Sequence, residues 1–230
     1  MPWYVPLVVF FLWFTFIAAC MGAKEILWPK TEGWQEVLFL NLVLSVSALV
    51  GIAVIFLLAK RFFVQGLKGL GLNLKTIVRD FGGAFLNLFG AMPIIVAMIV
   101  GTIIIGQLIW GEDFQLKQHE QLQMMGMYPQ VSLRIVIIVT AVVIAPIFEE
   151  MLFRGLIQTM LRSILMRPWA AIFVTSCIFA MVHGNVEHWP AIAALGMCLG
   201  YAYEKSGSLI RSIFIHSMFN AISVIGVLCQ

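Results

Sequence analysis

Ile144-Ala-Pro-Ile-Phe-Glu-Glu-Met-Leu-Phe-Arg154 sets two adjacent carboxylates and a guanidinium in an otherwise apolar stretch. The apolar run starts at Val131 and reaches past the roughly 20 residues a helix needs to cross a bilayer. Each charge at the bilayer centre costs from roughly 2.5 kcal/mol upward, so three in one span need partners or a water-filled cavity. Glu150 and Arg154 are four residues apart, on one helix face, where an ion pair can form. Glu149 is turned about 100° away from them. We therefore read Glu150 and Arg154 as a structural pair and Glu149 as the carboxylate left for chemistry. Pro146 removes a helix donor just upstream and predicts a bend near the site.

The rest of the chain has the same solvent. Of 230 residues, 62% are hydrophobic and 11% charged, against roughly a quarter charged in soluble domains. Hydrophobicity predicts an all-α, polytopic membrane protein with about seven transmembrane helices: Trp3 to Met21, Val37 to Ala59, Gly82 to Trp110, Val131 to Leu161, Trp169 to His183, Pro190 to Tyr203 and Leu209 to Leu228. Residues 1–130 carry the first three spans, and residues 131–230 carry the catalytic core in the last four. The first span lacks a basic n-region and exceeds the usual h-region, so it reads as a retained helix. Lys60 to Asp80 and Gly111 to Gln130 are the long polar connections, and Phe62 to Leu74 reads either as lying along the inner headgroup layer or as a solvated loop whose lysines fix topology. Cys20, Cys177, Cys198 and Cys229 occur singly, without disulfide or zinc-ribbon spacing. The net charge of +3 comes from basic residues spread among loops, which excludes a nucleic-acid patch.

Positively charged loops stay cytoplasmic. With the N-terminus inside, Lys60, Arg61, Lys68, Lys75, Arg79, Arg154, Arg162, Arg167, Lys205 and Arg211 fall on the cytoplasmic side. Lys24, Lys30, Lys117 and Arg134 fall opposite, with most of the acidic residues, including Glu32 and Glu120. A cytoplasmic N-terminus is expected, in the cell (inner) membrane for a bacterial source.

Two later spans carry one histidine each, His183 and His216. His216 and Asn220 share a helix face one turn apart. Counting about 1.5 Å per residue from the inner edge puts Glu149 and His183 near 20 Å and Asn220 near 14 Å, which permits one shared site. Glu149 and His183 could hold and deprotonate a water, while His216 and Asn220 could donate hydrogen bonds to the developing oxyanion. The alternative use of these atoms is a zinc site of Glu149, His183 and His216 with an open position. The HExxH spacing of a strong zinc signature is absent, and direct water activation without a cofactor is the favoured reading. His119 falls in a polar connection and His188, beside Trp189 and Pro190, at an interface; neither is read as catalytic. Gly196 and Gly200 form a GxxxG pattern, read as a close helix contact within the monomer. Asn41, Asn87 and Gln107 are read as interhelical hydrogen-bonding residues.

At these positions the sequence resembles the CAAX-protease and bacteriocin-processing family of intramembrane endopeptidases. Its three motifs stand as Glu149-Glu150-x-x-x-Arg154, Phe179-x-x-x-His183 and His216-x-x-x-Asn220, in the family's order, and the likeness covers about Val131 to Leu228. The resemblance implies endopeptidase chemistry near the cytosolic half of the bilayer and gives Phe179 a supporting place beside Glu150 and Arg154. It implies a peptide or protein substrate, prenylated in the CAAX case and a leader peptide in the bacteriocin case.

Two other functions compete. A proton- or ion-coupled transporter would suit buried Glu, His and Arg, but it predicts polar residues spread over several helices and repeated halves. A catalytically silent scaffold or immunity protein would keep the fold for binding alone.

Overall fold

The computed structural model describes residues 2–28, 33–118 and 120–229. Lys30, Glu32 and His119 lie outside the described residues, as does the side chain of Glu120. The described chain is helical without strands. Its helices are α1 Val5–Leu27, α2 Gly33–Phe62, α3 Ile77–Trp110, α4 Glu120–Met127, α5 Val131–Leu165, α6 Pro168–Met181, α7 Trp189–Ser206 and α8 Leu209–Leu228.

Five of these, α1, α2, α3 with its lead-in from Leu74, α5 and α8, are long and apolar enough to cross a membrane. The other two expected spans are helical but shorter, with 14 residues in α6 and 18 in α7. At 1.5 Å per residue α6 covers about 21 Å, less than a hydrocarbon core of roughly 30 Å. Phe11 at 65% exposed, Phe89 at 72% and Leu108 at 81% point outward, as lipid-facing side chains do. This is an integral, multi-pass membrane protein.

The chain divides into two compact units. One comprises Met1–Leu70, His119–Leu152 and His216–Gln230. In it, Trp13 of α1 donates its indole N–H to Ser47 Oγ of α2 at 3.1 Å and packs its ring 4.9 Å from that of Phe148. The Phe148 ring lies on Gly51 of α2, where any Cβ would collide with it. Ser45 of α2 and Thr140 of α5 share a hydrogen bond of 2.6 Å, whereas Asn41 turns its amide back onto Val37 O of its own helix at 2.9 Å. The connection read as polar from Gly111 to Gln130 contains α4, because Met125 joins Leu133, Ile137 and Val224 in a buried cluster with Leu122 and Met124 packed against it. Gly51→Leu is expected to displace the Phe148 ring and cost about 1–3 kcal/mol by overpacking. Thermal unfolding in detergent should show the lowered Tm; an unchanged Tm contradicts this packing.

The other unit comprises Gly71–Gln118 and Phe153–Ile215. Asp80, read from sequence as the end of a loop, is instead a fully buried acid in the first turn of α3, where the helix N-terminus favours negative charge. It accepts hydrogen bonds from Thr76 and Ser208, both at 2.6 Å, and from Arg211 at 3.1 Å. Gly71, at φ +88, accepts the Leu209 N–H at 3.0 Å, and a Cβ there would meet Gly207 O at 2.8 Å. The two glycines of the GxxxG pattern seat α7 within the monomer. A Cβ on Gly196 would stand 3.0 Å from Ser176 Cβ, and one on Gly200 would stand 2.7 Å from Gln158 Oε1 and 3.0 Å from Ile172 Cγ2.

α5 changes its winding twice. Thr140–Ile144 and Met151–Gln158 are π-helical, flanking the α-helical Ala145–Glu150. π-turns inside α-helices occur mostly as single turns and often at functional sites.

Candidate active site

In the first unit, α5 and α8 bring three of the expected side chains together. Glu150, fully buried, places Oε1 3.0 Å from His216 Nδ1, and Glu149 places Oε2 3.8 Å from His216 Nε2. His216 is 3% exposed; its Nδ1 is hydrogen-bonded to one carboxylate and its Nε2 faces a second at longer range. With Glu150 ionised, its carboxylate only accepts, and Nδ1 is then the donor of this bond. His216 Nε2 then faces Glu149 as a lone pair, or as a donor when both nitrogens carry protons. The Glu149 side chain is 17% exposed, more open than its buried neighbour. Asn220, one turn beyond His216 on α8, donates from Nδ2 to the Ala141 carbonyl of α5 at 2.7 Å.

The sequence reading paired Glu150 with Arg154. In the structure Glu150 contacts His216, whose ring it orients. No local spacing announces this bond, because its partners are 66 residues apart.

In the second unit the remaining motif residues also meet. Arg154, fully buried, donates from Nη2 to Gly196 O at 3.2 Å and lays its guanidinium 4.3 Å from the centroid of the Phe179 ring. One turn on, Gln158 donates to Gly200 O at 3.1 Å. The GxxxG approach exposes these two main-chain carbonyls to side chains of α5, a role sequence reasoning missed although the pattern was visible. Phe179 also packs edge-on against Phe153 at 5.1 Å. Its carbonyl lies 2.6 Å from His183 Nδ1, and the two rings are 4.2 Å apart. A carbonyl can only accept, so Nδ1 carries the proton and Nε2 of His183 is left with the lone pair. The Phe179-x-x-x-His183 spacing thus fixes a tautomer. His188 closes a short 3₁₀ turn, bonding its N–H to Asn185 O at 3.0 Å.

Both histidines therefore hold Nδ1 against an oxygen acceptor. A neutral imidazole in this state can take a proton, and it is also the form that metal-ligating histidines adopt when an outer partner fixes the ring. The donor set of Glu149, His183 and His216 thus fits a zinc ion in ligand type.

Residues 131–222 match the family model described as type II CAAX prenyl endopeptidase Rce1-like. A Bacillus subtilis (strain 168) protein named "Putative membrane peptidase YdiL" is 30% identical over 88 residues, 38% of this chain and 36% of that protein. An "Uncharacterized 24.3 kDa protein" of Escherichia coli is 27% identical over 135 residues, 56% of this chain and 58% of that protein. The chain thus spans less than two thirds of the length of these curated relatives. No solved structure matches it. The matched stretch contains all three motifs together with Ala141, Pro146 and the Gly196 and Gly200 carbonyls, so the segment that builds the two polar clusters is the one the family model matches.

Proposed function

We propose that this protein is an intramembrane endopeptidase that hydrolyses peptide bonds of membrane-associated substrates. The carrying observation is the His216 imidazole set between Glu150 and Glu149 inside apolar helices. The Rce1-like match over the same residues supports the peptidase reading. In this mechanism Glu149 and His183 hold a water molecule and take its proton as it attacks the scissile carbonyl. His216 Nε2–H and Asn220 Nδ2–H donate to the oxygen that becomes the oxyanion. His216 serves as a donor when both ring nitrogens are protonated, with Glu150 holding the Nδ1 proton. The proton on Glu149 then passes to the leaving amine. We infer a cytoplasmic N-terminus from the ten basic residues placed inside against four outside, counted from the sequence. The substrates we propose are CAAX-type or leader-type peptides held at the bilayer.

A second reading has its own observation: Nδ1 of each histidine is held by an oxygen, the outer contact that fixes the ring of a metal-ligating histidine. Glu149, His183 and His216 would be the residues that hold zinc, which lowers the pKa of a bound water and polarises a carbonyl. Metal content and turnover measured on one purified sample, with a peptide library in proteoliposomes, separate the two. Full turnover in metal-free protein is the expected result. Stoichiometric zinc that tracks activity, with loss on chelation and recovery on metal addition, overturns direct water activation. No cleavage by wild type under either condition overturns the peptidase reading itself.

A further inference from the structure

The π-turn that precedes the carboxylates ends in an unusual way. Across Thr140–Ile144 the main-chain bonds reach back five residues, and the last of them runs from the Ala145 N–H to Thr140 O. The next bond of that series would run from residue 146 to the Ala141 carbonyl. Residue 146 is proline, which has no N–H to give. The acceptor so released is the one that Asn220 Nδ2 reaches from α8 at 2.7 Å.

A carbonyl accepts and never donates, so this bond settles which end of the Asn220 amide faces α5: the nitrogen, not the oxygen. A primary amide carries two N–H bonds. One is held by Ala141, and the other stays available on the α8 face that also carries His216, one turn away. Glu149 follows Pro146 by three residues on α5. The missing proline N–H thus sits on the helix that carries the base and acts on the side chain assigned to the oxyanion.

We propose that Pro146 is a positioning residue for Asn220: by withholding a main-chain donor it leaves the Ala141 carbonyl to lock the amide, so that the second N–H is presented to the substrate oxygen. The inference rests on the oxyanion role given to Asn220 above. It assigns Pro146 more than the helix bend expected from sequence, because a bend alone requires no particular partner for Ala141.

Pro146→Ala supplies the absent N–H and removes a helix breaker, so the variant is expected to fold. Turnover is measured for wild type, Pro146→Ala, Asn220→Ala and the double variant, and the Asn220 side-chain amide protons are followed by NMR on ¹⁵N-asparagine protein, with Asn220→Ala making the assignment. The expected result is a kcat lowered by roughly tenfold in Pro146→Ala, a fraction of what losing a whole oxyanion donor costs, with KM within about twofold. The Asn220 amide signals should move, and Pro146→Ala should add no further loss in the Asn220→Ala background. Equal losses in both backgrounds, or amide signals that do not move, overturn the proposal. Wild-type turnover in Asn220→Ala overturns the oxyanion role alone, and shifted amide signals would still uphold Pro146 as the residue that orients Asn220.

Discussion

Glu149→Gln is expected to yield a protein that inserts, folds and binds peptide but turns over roughly three orders of magnitude more slowly. The amide matches the carboxylate in shape and keeps a polar atom facing His216 Nε2, now 3.8 Å from Glu149 Oε2. It cannot accept a proton from water. Loss of a positioned general base removes about two to four orders of magnitude from the rate, and here Glu149 is also the group that hands the proton on. The exchange preserves the size and shape of a side chain that is 17% exposed, so the folded state should tolerate it. The signature is a fall in kcat with KM and Tm near wild type. Turnover within tenfold of wild type removes Glu149 from the chemistry and sinks the mechanism.

Arg154→Ala is expected to fail differently, by loss of folded protein. Truncating a buried, hydrogen-bonded side chain opens a cavity and leaves the groups it served unsatisfied, roughly 2–5 kcal/mol, a large share of the roughly 5–15 kcal/mol that holds a domain folded. The guanidinium is fully buried. It serves the Gly196 carbonyl at 3.2 Å and the face of the Phe179 ring at 4.3 Å. Truncation leaves a cavity over Phe179, whose own carbonyl orients His183, so turnover per folded molecule should fall as well. Arg154→Lys keeps the charge but loses the planar fork and should recover only part of the stability. Detergent-extracted yield and Tm report the first effect, and active-site-normalised turnover the second. A variant that melts and turns over like wild type rules out the supporting role.

The residues that were legible from sequence are those whose cost is local. Three charges in an apolar run need partners wherever they are, so Glu149, Glu150 and Arg154 marked a candidate site before His216 and the Gly196 carbonyl were in view. Gly196 and Gly200 declared a close helix contact by spacing alone, and the structure seats them against Ser176, Gln158 and Ile172. What escaped is what depends on distant or main-chain partners. Glu150 meets an imidazole 66 residues on, and Asn220 meets a carbonyl, which every residue carries and no motif can mark. The two π-turns of α5 leave no periodicity of their own, since Pro146 hinted at a bend but not at its winding. Asp80 and α4 were assigned to loops because their polarity outweighed weak apolar patterning. Burial among Thr76, Ser208 and Arg211 accounts for the first, and Met125 in the Leu133 cluster accounts for the second.

The Glu150–His216 bond also sets a clock on biosynthesis. The carboxylate leaves the ribosome 66 residues ahead of its imidazole, and at about 5–20 residues per second that is a wait of roughly 3–13 s. Asn220 reaches its carbonyl later still, 79 residues after Ala141. Throughout that interval α5 carries Glu150 without its imidazole and Ala141 without the amide that later caps it. The site is therefore completed only when α8 arrives, and until then α5 is a helix whose polar groups must be sheltered by water, by the insertion machinery or by a neighbouring helix.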